Sequence, residues 1–135
     1  MLNTAYNKDM MYARINNRLG INYAEYLNDN ALEDYISGDR TNKVYNEMGK
    51  ARDRYVKDTV SSFDIARDNS KTHMSTEFNQ QMDFWKKYVA GAMADNDRDV
   101  LDRSYQAIKG IMILPWNAEQ LDKWNSLLSI ISNFK

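Results

Sequence analysis

Apolar residues recur at intervals of three and four along almost the whole chain, and strict alternation is nearly absent, so the pattern predicts helix throughout. The first helix runs from about Thr4 to Leu19 and stops at Gly20, a residue that takes the left-handed conformation past a helix end without strain. The second opens on Asn22-Tyr23-Ala24-Glu25, where Asn22 can cap free amides and Glu25 can reach back, and it closes at Gly38. An antiparallel hairpin of these two is expected.

The third helix begins near Thr41 and carries Val44, Met48, Ala51, Tyr55, Thr59, Phe63 and Ala66 on one side, running to about Asp68 with Gly49 as its weak point. The polar stretch from Arg67 to Thr72 interrupts that stripe, and a turn is expected there rather than one continuous rod. The fourth helix has the clearest pattern: Met74, Phe78, Met82, Trp85, Val89 and Ala92 form a seam that another helix should cover, which puts Trp85 in the core. A fifth helix from about Asp97 to Met112 and a sixth from Ala118 to Asn133 flank Leu114-Pro115-Trp116, and Asn117 with Gln120 makes a capping box. The fold class expected is therefore all-α, a bundle of about six helices. With no fixed-period repeat, low-complexity tract or Gly/Ser/Pro-rich linker, residues 1–135 read as a single domain.

Composition narrows the chemistry. A chain that is 43% hydrophobic and 27% charged is too apolar to stay disordered. The absence of cysteine excludes thiol catalysis, disulfides and thiolate metal sites. Eighteen basic residues interspersed with nineteen acidic ones leave no general field for a polyanion, so nucleic-acid binding is not expected. The densest basic segment, Lys50 to Lys57, includes Tyr55 and could touch a phosphate or a base, but Asp53 and Asp58 dilute it. No apolar run suits a leader or a membrane span, which predicts a cytosolic protein, or one carried from a cytosol in an assembly such as a virion. Abundant asparagine beside nine tyrosines and a single proline suits an AT-rich genome, and in composition and length the chain is similar to small bacteriophage proteins.

Few residues form a pattern that carries chemistry. Asp95-Asn96-Asp97-Arg98-Asp99 imitates the start of a calcium loop, but Val100 stands where that loop needs glycine and Gln106 where it needs a bidentate glutamate, so the stretch reads as a helix cap. Glu25, Asp29 and Glu33 follow one another at spacings of four, with no basic residue from Ile21 to Asp39. A carboxylate metal centre in a bundle usually adds Glu-x-x-His, which is missing, and no metal or cofactor is expected. Lys43, Lys50, Arg54 and Lys57 line one side of the third helix and can face these acids, from the same chain or a neighbouring copy. His73 is the only histidine and no nucleophile motif accompanies it; the five glycines are scattered singly and make no phosphate loop. Trp85, Trp116 and Trp124 with Tyr88 and Tyr105 can build a binding surface, though at helical spacing they read first as core.

These observations predict a non-enzymatic protein that works by contact, an assembly or virion component whose partner is a protein, itself or another. The alternative is a small inhibitor or adaptor of a host protein. Membrane, nucleic-acid and small-molecule partners are not expected, and the seven charged residues Glu25, Asp29, Glu33, Lys43, Lys50, Arg54 and Lys57 are the candidate contacts.

Overall fold

The computed structural model describes residues 4–134, with the side chains of residues 4–9 and 11 left aside. The leader expectation therefore rests partly on Met1, Leu2 and Asn3, which lie outside the described residues. Six α-helices and no strand are found among the described residues, the all-α bundle the periodicity predicts. They are α1 (Thr4–Leu19), α2 (Asp29–Ile36), α3 (Asn42–Ser62), α4 (His73–Ala94), α5 (Arg98–Ile111) and α6 (Ala118–Asn133), with a 3₁₀ turn at Ala24–Tyr26.

Helix α4 is the centre of the molecule. Its seam residues Phe78, Met82 and Val89 are fully buried, and α3, α5 and α6 all pack on it. Phe78 meets Trp116 and Trp124 edge-on at 5.8 and 5.6 Å between ring centres, and the two indoles lie 5.8 Å apart. Pro115 and the capping box make the corner that places them: the Asn117 side chain accepts from the Gln120 amide at 2.7 Å, Gln120 Oε1 accepts from the Asn117 amide at 3.0 Å, and Trp116 Nε1 donates to the Ile111 carbonyl at 2.8 Å. Trp85 is a correction: it is half-buried at the border of this core, because its ring leans outward against Phe84 and Tyr88.

The single second helix is also corrected. The chain from Gly20 to Gly38 forms the 3₁₀ turn and then a separate α2, capped by Asn28, whose side chain accepts from the Ala31 amide at 2.7 Å. Asn22 caps no amide. Its side chain donates to the Met93 carbonyl at 2.6 Å, which also accepts from the Asn96 amide, and its backbone amide donates to the Ala94 carbonyl at 2.8 Å, so it bonds to the last carbonyls of α4. Helix α1 packs mainly on the 3₁₀ turn and touches α2 through Tyr12 and Asp29, and the expected hairpin of two long helices is replaced by an N-terminal flank. That flank buries Ile21, Tyr23, Ala24, Leu27, Ala31 and Leu32. Gly20 and Gly38 do take left-handed φ of 69° and 100°, the two helix stops the sequence marks.

The third helix ends at Ser62, short of Asp68. Ser61 and Ser62 turn their hydroxyls back onto the Lys57 and Thr59 carbonyls, and Asp64 takes a φ of 47° that ends the helical run. Beyond it the connection is held by tertiary bonds. The buried Lys86 ammonium donates to the Ile65 carbonyl at 2.7 Å, and Asn79 exchanges two hydrogen bonds with the backbone of Asp68, at 3.0 and 3.1 Å. The turn between α3 and α4 is thus present, longer than expected and fastened to the bundle.

Candidate interaction surface

The candidate chemistry resolves into structure. Asp97 caps α5, its side chain accepting from the Val100 amide at 3.1 Å, which settles the calcium-like stretch as a cap. Asp95 instead pairs with Arg52 across the α3/α4 contact, at 2.9 and 2.8 Å. His73 is exposed on the first turn of α4. Among the described residues no group of three or more His, Asp or Glu side chains converges on a metal-sized space. No described helix is long and apolar enough to cross a membrane.

The seven charged residues divide among different surroundings. Glu25 stands on the 3₁₀ turn while Asp29 and Glu33 stand on α2, so the acidic run is broken between two elements. The Tyr12 hydroxyl donates to Asp29 at 3.0 Å. Lys50 pairs with Glu47 at 3.4 Å one turn away, and Arg54 donates to the Tyr26 carbonyl at 3.4 Å. Lys43 borders a small hollow between α2 and α3 with Asp34 and Glu47. Beside them the Tyr26 hydroxyl donates to Asp58 at 2.9 Å, and its pKa is pushed up to about 12, first by that bond to a carboxylate and then by burial.

Buried polar groups serve packing. Asp68 accepts from the Ser70 amide at 2.9 Å and from the Gln120 side chain, and these bonds hold its carboxyl below the usual range, the Ser70 amide contributing most. Burial pushes the Lys86 ammonium below its ordinary value. Both groups lie under the α3/α4 connection and fasten it to α4 and α6.

The feature best placed to meet a partner lies on the outer side of α3 and α4. Phe84 and Tyr88, 56% and 47% exposed, stack at 5.8 Å one turn apart, and Trp85 supports both edge-on at 5.2 and 5.6 Å. Alongside this ridge runs a groove of about 690 Å³, floored by Val56 and Val60 and rimmed by Asp53, Lys57, Asp83 and Lys87. It continues into a second hollow of about 510 Å³ that reaches Gly91, Ala92 and Arg52. Gly91 matters there, because a Cβ would come within 2.9 Å of the Arg52 guanidinium that crosses α4 on its way to Asp95. Of the seven expected contact residues, Lys57 lines the groove and the other six do not.

Sequence reasoning passed over Phe84 and Lys87 and read Tyr88 first as core. The available signal was Phe84 and Tyr88 four apart, off the buried Phe78/Met82/Val89 line, where a helix normally shows polar residues to water. Comparison of the chain with protein-family models, with characterised proteins and with solved structures gives no match.

Proposed function

We propose that this chain is a non-enzymatic protein-binding module, an assembly component of the small bacteriophage type, acting in the cytosol that makes it or in a particle built there. It works by contact through the outer side of α3 and α4. The observation that carries this reading is the stacked Phe84/Tyr88 pair standing exposed beside an apolar-floored groove. Two aromatic rings left half in water on a helix whose opposite side builds the core cost solvation, and burying them against a partner recovers it. Such rings with charged neighbours resemble the centre and rim of protein interfaces. The charged residues of the 3₁₀ turn, α2 and α3, Glu25, Asp29, Glu33, Lys43, Lys50 and Arg54, act as outlying contacts that steer approach, with Lys57 at the groove itself.

A second reading, a small inhibitor or adaptor of one host protein, draws on the α5/α6 corner, where Ile113 is 86% exposed next to the exposed Leu114. A photo-crosslinking residue placed at Tyr88, Glu33 or Ile113 of the full chain in its producing cells separates these surfaces. Adducts chiefly from position 88 are expected. Adducts from position 113 alone transfer the function to the corner, and adducts from position 33 alone return it to the acidic flank.

A further inference from the structure

Resting on that reading, we infer that the occupant of the α3/α4 face is a second copy of this chain, docked about a two-fold axis that passes between Phe84 and Tyr88. A two-fold contact is made by one patch meeting itself, so the patch must carry both halves of every interaction. This one does. It has two aromatic rings one turn apart, Phe84 and Tyr88, each of which can stack on the other's counterpart in a second copy, and they stand beside a groove floored by Val56 and Val60. Within the same strip, cations and anions alternate: Lys57 and Lys87 beside Asp53 and Asp83. A partner of uniform charge would be repelled by half of these groups, whereas a copy turned through the two-fold presents each sign to its opposite.

The register follows from the positions along α4. When two α4 helices cross antiparallel about that axis, Phe84 of each copy lies on Tyr88 of the other, and Lys87 falls close to Asp83 of the other. Lys87 has no ion-pair partner among the described residues, since Asp83, one turn before it, gives its Oδ2 to Arg67 at 3.2 Å. The second carboxylate oxygen of Asp83, Oδ1, is left to accept from Lys87 of the second copy. Two ring stacks and two ion pairs thus form at once, and the partly buried Trp85 is covered from the outside.

The test is sedimentation velocity of the purified full chain over a dilution series, with circular dichroism to show that each variant folds. The wild type is expected to pass from monomer to dimer, and Phe84→Asp to weaken the dimer by about thirtyfold or more, the scale of losing an interface anchor. Lys87→Asp and Asp83→Lys are each expected to weaken it about tenfold by setting like charges face to face, and the double variant to recover most of that loss. A wild type that stays monomeric up to about 1 mM overturns the inference. So does a dimer indifferent to Phe84→Asp, or a double variant no better than either single one. If the chain is monomeric yet position 88 crosslinks to a different protein in cells, this inference fails while the binding function of the face stands. If position 88 crosslinks to nothing, both fail.

Discussion

The bundle of α4, α5 and α6 and the flank formed by α1, the 3₁₀ turn and α2 are held by different means. In the bundle the fully buried side chains are large: Phe78, Met82, Trp124, Ile108 and Leu127 interlock, and three aromatic rings touch pairwise. In the flank the buried set is smaller in volume, with Ala24, Ala31, Leu27 and Leu32 at its centre, and much of the docking is polar. Asn22 ties it to the end of α4, the Asn16 side chain accepts from the Ala24 amide at 3.0 Å, and Tyr26 bonds to Asp58. Dispersion and apolar transfer scale with buried volume and area, whereas each intramolecular hydrogen bond adds only about 1 kcal/mol net against water. The bundle is therefore the firm part. It is also the part that presents Phe84 and Tyr88, and ridge residues on a firm helix lose little entropy when a partner covers them.

The contrast can be broken first at its strongest point. Trp124→Ala empties the middle of the aromatic triangle and should cost about 3 to 5 kcal/mol, measured by chemical denaturation. A loss below about 1 kcal/mol would mean that the triangle is not the main support. In the flank, Leu32→Ala should cost about 2 kcal/mol, the low end of such truncations, because the small neighbouring side chains leave less to lose. If it costs as much as Trp124→Ala, the two regions are equally important. Asn22→Ala removes a side-chain bond to a terminal carbonyl of α4 and should cost about 1 kcal/mol, with faster amide exchange in residues 21–36 and unchanged exchange in α6. Equal acceleration in both would show that flank and bundle open together.

The mildest expected effect appears only in acid. Asp68 has a lowered carboxyl pKa in the folded chain, so its contribution is complete above the ordinary unfolded value, near pH 4. It is lost as pH falls through the lowered folded value. Asp68→Asn should therefore flatten the dependence of stability on pH in that window and leave the slope near neutrality as it is. An unchanged acid slope would remove Asp68 from the fastening of the α3/α4 connection.

The bundle was legible in the sequence because its signals are local or strictly periodic. The Phe78/Met82/Val89 seam, the Asn117/Gln120 capping box and the Asp97 cap each specify their own structure within a few residues, and α6 has the predicted bounds. The flank was legible in α1, which has the predicted bounds, and at its glycines, but not in the segment between them. Asn22 looks like a cap of the helix that follows it, and only the arrival of the end of α4, seventy residues later in the chain, shows that its bonds go there instead. The end of α3 was hidden for the same reason. Ala66 and Asp68 continue a helical stripe, but Lys86, Asn79 and Gln120 hold that segment in a non-helical form. The outer face was harder to read, since Phe84 and Tyr88 sit off the Phe78/Met82/Val89 line but are as apolar and aromatic as core residues, and the folded chain shows them left outside.

Residue-resolved hydrogen exchange of the full chain in dilute solution tests the central contrast most directly. Amides of α4 and α6 are expected to exchange slowest, at the free energy of global unfolding, while those of α1 and α2 open together at a clearly lower free energy with Phe84 and Tyr88 still held on an intact α4. A single opening free energy shared by α2, α4 and α6 would contradict it.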